Sequence, residues 1–230
     1  MRARISPRSR RTPGIGAWLA GLATVAVLSG ATVGAPDPAG PPPDAAAASI
    51  EELHEVLLEV MKNAGPLGFS GRLERIRPVL GDLYDFPFMA EKSVGLGWRQ
   101  LDDAARSRLV DAFSRLAIST YAARFDGYDG DRFETLGVQP ASHGTVLVKT
   151  RIVRGSGETV ALDYRMRAEG DRWRIIDVFL NGTVSELALR RSEYSGVLKR
   201  QGFDALLQAI EQKIAAQERG ADDARANAQP

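Results

Sequence analysis

WRIIDVFLNG, residues 173–182, decides how this chain folds. Read as a strand, its side chains alternate between two faces. One face carries Trp173, Ile175, Asp177 and Phe179; the other carries Arg174, Ile176, Val178 and Leu180. From Ile175 onward both faces are apolar apart from Asp177. Helices can cover one side of such a sheet, so something else has to meet the other.

Working outward, three more segments share this period of two: RFETLGV (132–138), TVLVKTRIV (145–153) and ETVALDYRMRA (158–168). With RWRIIDVFL (172–180) they predict a four-stranded antiparallel sheet, joined through Gly155-Ser156-Gly157 and Glu169-Gly170-Asp171 turns. Val160, Leu162, Tyr164 and Met166 line one face of the third strand; Asp163, Arg165 and Arg167 line the other.

Upstream the period changes to helical. Ser49 and Glu52 stand at capping-box spacing, ahead of Ile50, Leu53, Val56, Leu57, Val60 and Met61. Gly65-Pro66 breaks that helix, and another is expected from Ser70. Asp85 caps a short helix in YDFPFMAEKSV, and Asp102 caps a long one reaching about Phe125. Leu96-Gly97-Trp98 reads as a fixed turn. Two helices follow the sheet, about Ser185–Arg200 and Asp204–Gln217. Helices, a meander, then helices define an α+β fold: a curved four-stranded sheet wrapped at both ends of the chain and enclosing an apolar pocket.

The chain has 230 residues, 44% hydrophobic and 26% charged, with no cysteine and two histidines. Disulfides, thiolate metal sites and cysteine nucleophiles are excluded, and a histidine-rich metal centre is disfavoured. Five arginines up to Arg11 precede AWLAGLATVAVL (17–28) and small residues near Ala31, the pattern of a secretory signal peptide over 1–31. An uncleaved membrane anchor is the alternative, because Thr12 to Pro36 carries no charge and is long enough to span. Residues 32–48 read as a Pro/Ala-rich tether, 49–218 as the folded domain and 219–230 as a disordered tail. Without residues 1–31, 25 basic side chains face 29 acidic ones, so the formal charge moves from +1 to −4. That removes the electrostatic motive for nucleic-acid binding.

Catalytic signatures are sparse. No GxSxG elbow, P-loop, dinucleotide glycine pattern or HExxH occurs. His54 reads as a solvated side chain on a helix surface, and His143 as a turn residue. Asp177 is the one acid on an apolar strand; pairing with Arg151, Arg165 or Arg174 is favoured over a role as general base. Large apolar residues are plentiful, and a greasy cavity holds lipid without catalytic groups, at roughly 0.8 kcal/mol per buried methylene.

YDFPFMAEKSVGLGWRQL, STYAARFDGY and WRIIDVFLNGTVSELALRRSEYSGVLKRQGFDALLQAIEQK, together with the signal peptide, resemble the MlaC-type family. Its members are periplasmic phospholipid-binding proteins of toluene-tolerance and lipid-asymmetry ABC transport systems. Within it, NGTVSELALRRSEY is most similar to the hopanoid-biosynthesis-associated HpnM branch. The resemblance spans about residues 50–215. It implies an NTF2-like sheet and a deep pocket for lipid tails. It also implies a periplasmic, non-enzymatic shuttle for phospholipid or hopanoid, working between an inner-membrane transporter and an outer-membrane lipid complex, with no cofactor. On that resemblance Trp173, Ile175 and Phe179 match the last strand, Tyr164 the strand before it and Tyr121 the long helix. These are the pocket candidates, with Phe88 and Trp98 near the mouth. Two other readings compete: an adaptor docking through LALRRSEYSGVLKR without cargo of its own, and an NTF2-like enzyme using Asp177.

Overall fold

The computed structural model describes residues 40–227. The expected signal peptide, the tether up to residue 39 and the last three residues lie outside that range. Four helices come first: α1 (Pro43–Lys62), α2 (Ala64–Leu83), α3 (Phe86–Val94) and, after a 3₁₀ turn at Gly95–Gln100, α4 (Asp103–Arg124). The strands β1 (Arg132–Ala141), β2 (Thr145–Val153), β3 (Thr159–Glu169), β4 (Arg172–Leu180) and β5 (Val184–Ser185) follow. Two helices end the chain, α5 (Glu186–Gln201) and α6 (Phe203–Asn227).

The caps show why these helices start where they do. Asp85 accepts from the Phe88 N–H at 3.0 Å, Asp102 from Ala105 at 2.7 Å and Ser185 from Ala188 at 2.9 Å. α1 departs from expectation. It begins six residues before Ser49, and residues 43–48 are helix rather than tether. Pro43 stands at the first helical position, Asp44 complements the helix dipole, and four alanines continue the run. Ser49 is mid-helix, its hydroxyl donating to the Ala45 carbonyl at 3.0 Å. α2 opens with a turn that Gly68 breaks at φ 60°, ψ −172°, a conformation only glycine adopts freely. α6 runs ten residues beyond Gln217, so helix also replaces most of the expected tail.

The sheet has five strands rather than four, in the order β1-β2-β3-β4-β5, every neighbouring pair antiparallel. The two-residue β5 pairs Phe179 with Ser185 and Leu180 with Val184.

A bulge resolves the reading of WRIIDVFLNG. Met166 pairs with Ile175, but Arg165 pairs with Asp177, so Ile176 is an extra residue on β4. Strict alternation fails there. Trp173, Ile175, Val178 and Leu180 share one face with Ala168, Met166, Tyr164 and Leu162, while Asp177 and Phe179 join Arg165 and Asp163 on the other. A one-residue slip sends every later side chain to the opposite face. The second apolar face was therefore an artefact of counting through the bulge. The opposite face is charged: Asp163 is buried beneath Lys149, with which it pairs, and accepts from the Thr150 N–H at 3.1 Å.

The outer edge of β4 is covered piecewise. Asp85 N–H donates to the Ile175 carbonyl at 2.9 Å, and Tyr84 bridges Ile175 in parallel. β5 covers residues 179 and 180. Between them, Asp177 receives the start of α5. Covering an edge in this way blocks strand addition there.

Candidate binding cavity

The helix-covered sheet face is closed differently at its two ends. At one end α1 packs Ile50, Leu53 and Leu57 into the same core cluster as Tyr164, Met166 and Ile175. At the other end α4 and α5 approach the sheet and leave a cavity of about 260 Å³. The sheet contributes Ile152, Val160, Leu162, Val178 and Leu180 to its wall. From α4 come Phe113, Leu116, Ala117, Thr120, Tyr121 and Arg124, with Phe125 just beyond, and from α5 Glu186, Leu187, Arg190 and Tyr194. Tyr84, Met89 and Arg154 complete the lining.

Most of this wall is apolar. Its polar groups are three arginines, one carboxylate, a threonine and three phenols. The Tyr84 and Tyr121 hydroxyls hydrogen-bond to each other. Burial is the first cause of their raised pKa: the Tyr121 phenol is pushed up to about 12 and Tyr84 well above its usual value. Burial likewise pushes the Tyr194 phenol up to about 12. All three are neutral hydroxyls at physiological pH. Glu186 meets Arg124 at 3.4 Å and Arg190 at 3.8 Å, and Arg154 meets Asp131 at 3.6 Å.

The seven residues expected to share one pocket do not. Tyr121 lines the cavity. Tyr164 and Ile175 are fully buried in the packed half. Trp173 lies at the far end of the same face, its indole N–H donating to the Pro42 carbonyl at 3.0 Å. There it borders a second hollow, of about 480 Å³, whose wall includes Glu52, Asp82, Asp171 and Arg172. Phe179 is on the opposite sheet face because of the bulge at Ile176. Phe88 stacks under Arg167, 4.6 Å from its ring centre, and Trp98 sits in the 3₁₀ turn with Arg106 at 5.5 Å. In that turn Gly97 is closely packed, since a Cβ would come within 2.5 Å of Leu198.

Two titratable residues also move from their expected places. His54 is buried, not solvated. Its ring stacks on Phe133 at 4.1 Å and its Nε2 is 3.2 Å from the Tyr164 hydroxyl. Desolvation pushes its pKa down to about 4. Asp177 forms no salt bridge, because each expected arginine is engaged elsewhere: Arg151 with Glu134, Arg165 with Ser142 and Thr145, Arg174 with the Asp82 and Tyr84 carbonyls. Asp177 instead accepts from the Val178 N–H at 2.8 Å, the Leu187 N–H at 3.0 Å and the Ser185 hydroxyl at 2.6 Å. It anchors α5 from the face away from the cavity, which is no place for a general base acting on cavity contents. Burial outweighs these bonds and raises its pKa.

Glu186 and Tyr194 were missed as site residues and Arg190 was read only as a docking residue of the adaptor, although the three recur every four positions and so share one helix face. Among the described residues no group of three or more His, Asp or Glu is placed to hold a metal ion. No described helix is long and apolar enough to cross a membrane.

An α+β domain with an apolar cavity between sheet and helices, charged at its rim, has the frame of a binding protein. The model of the MlaC protein family matches residues 51–212, and the chain belongs to that family. The solved structure of a phospholipid-binding protein from Ralstonia solanacearum, in complex with a phospholipid, matches with a TM-score of 0.65. Identity is 20%, over 74% of this chain and 97% of that one, a likeness of fold. No curated protein sequence matches the chain.

Proposed function

We propose that this protein is a periplasmic lipid carrier, non-enzymatic and free of cofactor. It takes the apolar part of a phospholipid or hopanoid into the cavity between β2–β4, α4 and α5. The observation that carries this reading is the cavity wall, in which five strand residues and half of the α4 positions are apolar. Family membership and the phospholipid-bound fold neighbour support it. Export is supported by the basic, apolar and small-residue pattern of residues 1–31. The working partners are an inner-membrane transporter and an outer-membrane lipid complex, visited in turn. At about 260 Å³ the cavity is just below the roughly 300–1,000 Å³ usual for ligand pockets, so a full lipid requires α4 and α5 to separate.

The test is native mass spectrometry with lipid extraction, on protein purified from a periplasm that makes both phospholipids and hopanoids. A co-purifying lipid is expected, and its class decides between the two cargoes. Ala117→Phe, which puts a ring into the cavity, should abolish that lipid while leaving the fold intact. Protein that arrives without lipid and also refuses both classes on titration sinks the carrier reading and transfers it to the adaptor.

A further inference from the structure

Along α5, Glu186, Arg190 and Tyr194 face the cavity from rim to interior. Tyr194 is 1% exposed, and its ring is held edge-on against Phe113 at 6.4 Å. Its hydroxyl has no hydrogen-bond partner among the described residues. Buried polar groups are nearly always paired, so an orphan donor in a cavity wall points to a partner on the ligand. One turn away, the Arg190 side chain is 21% exposed and its ion-pair partner, Glu186, is 3.8 Å distant, beyond hydrogen-bond length. Arg124 and Arg154 reach the same cavity through pairs of 3.4 and 3.6 Å. Three guanidiniums thus meet one lining carboxylate, with Asp131 behind Arg154. None of the three is locked in a short bidentate pair.

Resting on the carrier reading, we propose that Arg190 and Tyr194 form a subsite for the phosphodiester and adjoining ester carbonyl of an anionic glycerophospholipid, with Arg124 and Arg154 at its rim. A guanidinium pairs with phosphate through two parallel N–H donors. The Tyr194 hydroxyl donates to the ester carbonyl that follows the phosphate along the lipid. A neutral polycyclic lipid offers no phosphodiester and leaves the Arg190 guanidinium with only its 3.8 Å pair to Glu186. Arg190 and Tyr194 therefore set the cargo as phospholipid over hopanoid.

The experiment titrates delipidated protein, from cells expressing the full chain, with four probes. These are dioleoyl phosphatidylglycerol, its ether-linked analogue, dioleoylglycerol and inorganic phosphate. Wild type should bind phosphatidylglycerol roughly tenfold or more tighter than dioleoylglycerol, as a charged hydrogen bond implies. Arg190→Gln should bring that ratio near one. Tyr194→Phe, which removes one oxygen and keeps the ring, should weaken the ester lipid by about threefold and erase its advantage over the ether analogue. Equal binding of the two dioleoyl lipids by wild type, or an intact ratio in Arg190→Gln, overturns the subsite and leaves the carrier reading standing. Inorganic phosphate displacing the lipid at equal concentration assigns the arginines to free phosphate and also overturns it. Refusal of every lipid by folded wild type overturns the carrier reading itself.

Discussion

One sheet face supplies both the packed half of the molecule and the hollow half. Under α1, Ile50, Leu53 and Leu57 join Tyr164, Met166 and Ile175, all fully buried. Under α4 and α5, Val178, Leu180 and Leu162 face Phe113, Leu116 and Leu187 across open space. Residue types hardly differ; the supports do. α1 packs on β1, β2 and β4 as well as on α2, whereas α4 is held chiefly by the helices α6, α2 and α3. Arg72 of α2 donates to the Ala122 carbonyl at 2.8 Å, and Gln217 of α6 to the Thr120 hydroxyl at 2.9 Å. Helices that grip α4 from outside keep it off the sheet. A cavity in a small domain needs such an external frame, because apolar side chains otherwise close on one another.

The largest expected effect tests that contrast directly. Leu53→Ala should cost about 2–5 kcal/mol of stability, the usual toll for a fully buried leucine whose neighbours cannot collapse. Leu180→Ala, which enlarges a cavity already there, should cost less than about 1 kcal/mol. Urea unfolding of both variants reads the difference. Equal costs would mean that the hollow half is as tightly packed as the other, and the comparison fails.

Next comes His54, in the packed half. Its pKa falls from 6.5 to about 4 on folding, so its neutral form stabilises the protein above pH 6.5. That contribution is lost as pH drops from 6.5 through about 4. Its size is of order 3 kcal/mol from the shift alone. Stability measured by denaturation at pH 7, 5.5 and 4 should decline more steeply in wild type than in His54→Gln. Parallel profiles would show that His54 is not sealed in the packed half.

Much of the scaffold was legible. The bounds of β2 and β4 follow from periodicity to the residue, and the Asp85 and Asp102 caps follow from local chemistry. Where reading failed, long-range pairing or a local exception decided. Pro43 looked like linker because it ends a proline run, yet proline is also a natural first helical residue. The bulge at Ile176 carries an apolar side chain and no glycine, so nothing marked it except the misfit of Asp177 on an apolar face. That misfit was the available signal. Choosing pocket residues by their match to the family's last strands favoured the packed half, where large strand side chains are core. The polar α5 face, spaced at four, was the more informative pattern.

The smallest effect concerns the joint between the halves. Asp177 ties the first turn of α5 to β4 through Val178, Leu187 and Ser185. Asp177→Ala orphans those donors and should cost about 1–3 kcal/mol. The folded pKa is raised, so the group's contribution is fully present below the ordinary value of 3.8 and is lost as pH rises through the folded value. At pH 7 its charge is therefore a net cost. Asp177→Asn, which keeps the Oδ1 acceptor and drops the charge, should stay within about 1 kcal/mol of wild type. Lipid retention separates the halves further: Asp177→Ala should lose cargo more readily than it loses fold, because Glu186 and Leu187 of the cavity wall hang from this joint. Were stability and retention to fall together, α5 would belong to the packed half and the cavity would have no independently movable wall.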